Sequence, residues 1–318
     1  MRRMKIIVTG AAGAIGSHLC ERILALEHEV VGVDALTSYY DPAIKRINVA
    51  DVELAGGRVH FLDLAVDDIS HLLTGTDFIF HLAAQPGISA TTPFEDYLNN
   101  NIIATHKLLE HARNIPTLKG FIYASTSSVY GKHAQGDEKS EPKPTSHYGV
   151  TKLASEQIVL ALAREKGFPA VSLRFFSVYG ERERPEKLFH KLTKAMCEDK
   201  EFTLYEGAKD HVRSYTYVGD IVDGCILVLQ NFEKVKGEII NLGNDTTNTT
   251  GEGILIIEEI FGKKAKFNML PKRPGDQLET AANITKAKDL LGYNPKISLA
   301  EGLKKEVEWY KEKIHGKL

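Results

Sequence analysis

Apolar residues in the first 180 positions come in short runs separated by stretches with helical spacing. Lys5-Ile6-Ile7-Val8 is one such run, and Leu19, Ile23, Leu24 and Leu26 follow it at helical intervals. Further strands are predicted at Glu29 to Val33, Arg58 to Leu62, Phe78 to Leu82, Gly120 to Ala124 and Ala170 to Phe175, with helices between most of them. Strands alternating with helices imply an α/β chain built on a doubly wound parallel sheet, covered on both faces, with ligands at the carboxyl ends of its strands. After Gly180 the alternation is lost. A proline-containing basic turn at Arg182 to Lys187 precedes a helix near Leu188 to Cys197 and short strands near Phe202 to Tyr205 and Ser214 to Val218. The chain is therefore expected to divide into residues 1–180, a cofactor-binding domain, and mainly 181–318, a smaller mixed α/β substrate domain from which some segments return to the first. The polar stretch Thr246 to Gly251 is predicted as a loop before a helix at Ile254 to Phe261. Leu299, Leu303, Val307 and Tyr310 predict an amphipathic C-terminal helix docked on the core.

The link between the first strand and first helix is Thr9-Gly10-Ala11-Ala12-Gly13-Ala14-Ile15-Gly16. Glycines there let backbone N–H groups approach a pyrophosphate at a helix N-terminus, where the macrodipole favours negative charge. A glycine triplet alone is weak evidence, but the next strand ends in Asp34, a carboxylate suited to the adenosine ribose hydroxyls. Asp34 would repel a 2′-phosphate and no arginine follows it, so NAD is expected rather than NADP. The remaining strand ends carry Asp63-Leu64, then Leu82-Ala83-Ala84-Gln85, Ser125-Thr126 and Ser177. Asp63 is placed to accept from an adenine amino group, and Ala83 and Ala84 leave room for ribose and phosphates, or else serve tight packing. Tyr148 and Lys152 lie four apart, on one helix face, where an ammonium beside a phenol favours phenolate.

Composition narrows the field. Among 318 residues, 43% hydrophobic and 26% charged, the net charge is −2, which gives no footprint for nucleic acid or a membrane surface. Three scattered cysteines, Cys20, Cys197 and Cys225, suggest neither zinc nor a disulfide framework. Twelve histidines form no HxxxH pair with an acid between, so no metal is expected. With no membrane-length apolar run and no signal-peptide pattern, a cytoplasmic protein is expected.

The motifs TGAAGAIG at 9–16, Asp34, DL at 63–64, HLAAQ at 81–85, Asn101, STSSVYG at 125–131, YGVTK at 148–152, RFFSVYG at 174–180, RSYTYVGD at 213–220 and RPGD at 273–276 are similar, in order, to those of the extended short-chain dehydrogenase/reductase family. The resemblance covers essentially the whole chain and implies a Rossmann-type fold binding NAD. It implies that Tyr148 is the catalytic base and acid, that Lys152 binds the nicotinamide ribose and lowers the Tyr148 pKa, and that Thr126 hydrogen-bonds the substrate. It implies cofactor contacts from Gly10, Ala12, Gly13, Ala14, Ile15, Gly16, Asp34, Leu36, Asp63, Leu64, Leu82, Ala83, Ala84, Gln85, Asn101, Ser125 and Phe175, besides Tyr148 and Lys152. Substrate contacts are expected from Pro86, Thr126, Ser127, Ser128, Ser177, Arg184, Tyr205, Arg213, Arg273 and Asp276. Guanidinium groups suit a diphosphate because their donors form a fork. Relatives also pair through helices corresponding to Pro93 to Arg113 and Tyr148 to Lys166, which implies a homodimer.

Within that family, the segments 34–42 and 174–185 most resemble nucleotide-sugar 4-epimerases acting on uronates, the UDP-glucuronate 4-epimerases in particular. The expected reaction is NAD-dependent 4-epimerisation of a UDP-sugar through a transient 4-keto sugar. Dehydratases need an acid after the threonine and the decarboxylases resemble STSEVYG; here those places hold Ser127 and Ser128. The alternatives left open are a UDP-glucose 4-epimerase, a UDP-glucuronate decarboxylase, and a non-enzymatic dinucleotide sensor, against which an intact Thr126, Tyr148 and Lys152 argue.

Overall fold

A computed structural model describes residues 2–87, 91–272 and 279–317. Its centre is a parallel sheet of seven strands: β1 (Lys5–Thr9), β2 (Glu29–Asp34), β3 (Arg58–Phe61), β4 (Phe78–His81), β5 (Gly120–Thr126), β6 (Ala170–Phe175) and β7 (Ile239–Leu242). The spatial order is β7-β6-β5-β4-β1-β2-β3. Strands β4, β5 and β6 are buried at every position, which is why they read as continuous apolar runs and not as alternating ones. The chain winds outward from β1 to β3, then returns past β1 to β4. That reversal opens a crevice at the carboxyl ends of β1 and β4, the place where such sheets take their ligands.

The helix α1 (Ala14–Ala25) leaves the glycine turn, and α2 (His147–Lys166) crosses the other half of the sheet. Ser146 caps α2 by accepting from the Gly149 N–H, at 3.1 Å, and Gly167 ends it in the left-handed conformation, so Tyr148 lies in its first turn. Gly149 is required there: a Cβ would stand 2.7 Å from the Ser128 carbonyl oxygen. The Tyr148 helix can thus lie directly against the segment that follows β5.

In the second half, Phe189, Leu192 and Met196 of α3 (Leu188–Cys197) form a separate core with Ile254, Ile257, Leu303 and Val307. Leu303 and Val307 belong to α4 (Leu299–Trp309), as their spacing predicts. Two corrections arise here. The segment expected as a loop to Gly251 contains a short strand, Asn248–Thr249, and its helix starts at Thr250. Thr249 and Glu252 form a capping box, so polar residues that look like a loop are a helix start. The strand expected from Ser214 to Val218 is only Thr216–Tyr217, because Val218 opens a helix running to Gln230. Phe94 and Val150, on the segments implicated in pairing, are exposed apolar residues. Among the described residues, no helix is long and apolar enough to cross a membrane.

Beneath the sheet's carboxyl end, Arg174 of β6 and Glu156 of α2 form a bidentate ion pair, with Nη2 to Oε1 at 2.6 Å and Nε to Oε2 at 3.0 Å. Both side chains are at most 1% exposed. Ser172 Oγ also donates to Glu156, and the guanidinium lies 4.7 Å from the centre of the Tyr130 ring. An Arg174→Leu substitution leaves the Glu156 carboxylate buried without its partner. It is expected to cost about 3–5 kcal/mol in urea unfolding, while the double substitution with Glu156→Leu recovers most of that loss. A single variant as stable as the parent would contradict this.

Candidate active site

The glycine turn folds over itself so closely that only glycine fits. Gly10 has φ +72°, and a Cβ on Gly16 would stand 2.1 Å from the Gly10 carbonyl oxygen. No side chain caps the start of α1 at Gly13, which leaves its first N–H groups to a ligand. Asp34 is fixed beside this turn: Ala12 N–H donates to Oδ2 at 3.0 Å and Leu36 N–H to Oδ1 at 2.8 Å. Asp63 is held likewise, with Ala65 N–H donating to its Oδ1. Together these residues form a cradle that matches a dinucleotide: tight backbone at the turn, free N–H groups at the helix start, and two carboxylates at the ends of neighbouring strands.

A buried hydrogen-bond chain sets the next wall. Thr105 Oγ1 donates to the Asn101 carbonyl, so it accepts from His81 Nε2–H at 2.8 Å; Nδ1 therefore accepts from Thr9 Oγ1, also at 2.8 Å. The Thr9 oxygen accepts in turn from Ala83 N–H. Burial pushes the His81 pKa down to about 3, so the imidazole stays neutral and keeps this one arrangement of protons. Asn101 lies in a π-helical turn, Leu98–Ile103, and its side chain is committed to the protein: Oδ1 accepts from Gln85 N–H at 2.7 Å, and Nδ2 donates to Gln85 O and Thr151 Oγ1. The expected cofactor contact by Asn101 is thereby corrected, since it orients Gln85 and the Tyr148 helix from behind.

These elements enclose a cleft of about 500 Å³. Gly10, Gly13, Ala14, Ile15, Gly16 and Asp34 line one side, with Asp63 and Leu64 beyond them. Leu82, Ala83, Ala84, Gln85 and Pro86 line the floor, followed by Ser125, Thr126, Ser127, Ser128 and Phe175. Tyr148, Lys152, Ser177, Arg184 and Arg213 complete it. Ala12 and Leu36 do not line the cleft and act through the backbone on Asp34. Tyr205 also lies away from it, at the end of a strand, Glu201–Tyr205, paired with Lys266–Leu270. Arg273 and Asp276 fall outside the described residues.

Burial dominates the electrostatics at Tyr148 and Lys152. Loss of water around Tyr148 pushes its pKa up, while a hydrogen bond with Thr126 and the charge of Arg184 act in the opposite direction. Lys152, 3% exposed, turns its ammonium to 4.2 Å from the centre of the Tyr123 ring. Burial lowers the Lys152 pKa to about 7, and the Glu156 carboxylate one turn along α2 partly offsets this. Arg184 thus supplies a positive charge that favours the phenolate. Arg184 itself pairs with Glu186 at 2.6 Å, and its guanidinium is 6.0 Å from the Tyr39 ring centre.

Sequence reasoning passed over several lining residues. Tyr39, Lys45, Glu183 and Lys187 all border the cleft. Lys45 is 6% exposed and donates to Thr37 O at 2.9 Å, although a lysine on a polar helix reads as a surface charge. The basic composition of 182–187 was the available signal for Lys187.

Comparison with known proteins agrees with this geometry. Residues 6–243 match the NAD dependent epimerase/dehydratase family. The chain is 39% identical to the Uncharacterized UDP-glucose epimerase YtcB of Bacillus subtilis, over 98% of this chain and 100% of that protein. It is 33% identical to UDP-glucuronate 4-epimerase 4 of Arabidopsis thaliana, over 96% of this chain and 75% of that one. Its fold matches the crystal structure of UDP-glucuronic acid 4-epimerase from Bacillus cereus in complex with UDP-glucuronic acid and NAD, with TM-score 0.92 and 39% identity, covering 97% and 99% of the two chains. The parallel sheet, the glycine turn with Asp34, and the placed Thr126, Tyr148 and Lys152 thus accompany a match over most of the chain, and this protein belongs to the NAD dependent epimerase/dehydratase family.

Proposed function

We propose that this chain converts UDP-glucuronate and UDP-galacturonate into one another by epimerisation at C4. The observation that carries this reading is the wall around Tyr148: Thr126, Ser127, Ser128 and Ser177 present hydroxyl groups there, and the two positions after Thr126 carry no carboxyl group. Elimination of water lacks its acid and base at those positions. A uronate carboxylate instead meets neutral donors and the guanidinium of Arg184.

The residues at the turn fit NAD, with the Gly10 to Gly16 segment for the pyrophosphate and Asp34 and Asp63 for the adenosine end. Bound NAD supplies the two-electron acceptor and donor that the chemistry at C4 requires. Tyr148 takes the proton from the 4-hydroxyl at its phenol oxygen and later returns it, with Thr126 hydrogen-bonded to that phenol and holding the substrate oxygen. Arg184 favours the phenolate during the step. Lys152, which lines the cleft, would hold the nicotinamide ribose. Arg213 holds the diphosphate while the sugar turns over.

A UDP-glucose 4-epimerase is the second reading, supported by the description of the Bacillus subtilis relative. Proton spectra of the sugars decide between them. With UDP-glucuronate and no added NAD, the purified protein is expected to give a mixture with UDP-galacturonate, and with UDP-glucose little or no change. Turnover of UDP-glucose alone would overturn the preference.

A uronate oxidised at C4 is a β-keto acid, and it loses carbon dioxide when its carboxylate bond aligns with the carbonyl π system. Hydrogen bonds from Ser127, Ser128 and Ser177 hold it out of that alignment under this reading. A Ser128→Ala protein is therefore expected to release several-fold more 4-keto-pentose per turnover than the parent, measured by mass spectrometry. Equal release would remove this role from Ser128.

A further inference from the structure

We propose that Glu183 and Glu306 share one proton between their carboxyl groups, and that this shared proton holds the loop carrying Arg184 against the substrate cleft. Glu306 is therefore a positioning residue, far from the reacting atoms. The inference rests on the reading of Arg184 as a substrate contact.

The geometry leaves little choice. Glu306, on α4, is 1% exposed, and Glu183 is 5% exposed. Glu306 Oε2 accepts from the Gly180 N–H at 3.2 Å. The remaining oxygens, Glu306 Oε1 and Glu183 Oε2, are buried and meet no N–H or O–H donor. The Gly180 backbone brings the two side chains together, since its N–H holds Glu306 and its carbonyl accepts from the Glu183 N–H at 3.1 Å, and the neighbouring Glu183 carboxyl helps to raise the Glu306 pKa. Two ionised carboxylates cannot hydrogen-bond, and side by side in a dry setting they repel; one proton converts the contact into a strong O–H···O⁻ bond. The single charge that remains is balanced by the Lys187 ammonium, 3.5 Å from Glu183 Oε1.

Three further titratable side chains stand around the pair: His190, Tyr179 and Tyr215. Burial pushes the His190 imidazole down to about 4, so it is neutral. Tyr179 and Tyr215 face the pair as phenols whose pKa values burial pushes up, and Arg184 is the second cation nearby. On the other side of the loop, Arg182 is tied to Glu21 at 2.7 Å and Asp51 at 3.1 Å, with φ +65°. Arg184 is thus held between two anchors, one on α1 and the helix that follows it (Pro42–Leu54), and one on α4. Only the second depends on a proton.

Burial pushes both carboxyl groups above the ordinary carboxylate range, Glu306 well above it. For a group whose folded pKa is raised, the stabilisation is complete below the unfolded value and is lost as pH rises through the folded one. Rising pH therefore places two neighbouring carboxylates under the loop and loosens Arg184.

The test is the pH dependence of kcat and KM for UDP-glucuronate between pH 6.5 and 9.5, in the NAD-loaded protein. Glu306→Gln is isosteric: its carbonyl takes the Gly180 N–H and its amide donates to Glu183 at every pH. The parent KM is expected to rise roughly tenfold across the range, as loss of a charge-assisted hydrogen bond gives, with kcat falling less. The Glu306→Gln protein is expected to match the parent at pH 6.5 and to show no such rise; titration of the substrate is common to both and cancels in the comparison. Parallel KM profiles overturn the positioning role. An Arg184→Ala protein with the parent's KM would instead remove the substrate reading of Arg184. The shared proton is then judged by thermal unfolding alone: the parent loses stability relative to Glu306→Gln as pH rises, and parallel melting curves overturn it.

Discussion

A neutral histidine at the end of the fourth strand joins the two halves of the cleft. His81 donates from one ring nitrogen and accepts at the other, and both partners are hydroxyls fixed by further bonds. Through Thr9 it reaches Ala83 and the start of the glycine turn; through Thr105 it reaches Asn101. Asn101 then orients Gln85 and, by Thr151, the helix of Tyr148 and Lys152. Ser155, one turn further along that helix, also donates to the Asn101 carbonyl, at 2.7 Å. Because these bonds form one continuous buried chain, the cleft wall at Ala83 to Gln85 and the helix of Tyr148 cannot shift independently.

The same burial that orders the site also sets its charges. Lys152 and His81 are both pushed toward their neutral forms, while Tyr148 is pushed toward its phenol. Against that trend stand Glu156, which favours the Lys152 ammonium, and Arg184, which favours the Tyr148 phenolate. The buried ion pair of Arg174 and Glu156 and the loop at 180–187 therefore both act on the charges of Tyr148 and Lys152. The loop has no regular structure, yet Arg182 ties it to Glu21 and Asp51.

Much of this was legible in the residues. Strands β4, β5 and β6 announce themselves because buried parallel strands read as apolar runs, and Gly10, Gly16 and Asp34 have a context that chance seldom supplies. The seventh strand, Ile239–Leu242, escaped notice because four residues carry no period and their pairing with β6 is long-range. Thr249 and Glu252 were hidden for another reason: a capping box and a polar loop have the same composition. Asn101 was placed on the cofactor by resemblance alone, since an amide in a helix offers no clue of its own to which side it faces. Glu306 passed as one of several charges on an amphipathic helix, since its burial comes from tertiary packing and its hydrogen bond is to Gly180, more than a hundred residues earlier. Interactions within an element could be read; those made by tertiary contact could not.

The central claim is that the sugar is oxidised and reduced at one carbon beside Tyr148. Its most direct test uses UDP-glucuronate labelled with deuterium at C4, turned over in ordinary water and examined by mass and proton spectra. Full retention of the label at C4 of the UDP-galacturonate formed, with no solvent hydrogen entering that position, is the predicted result. Loss of the label to solvent would contradict the account.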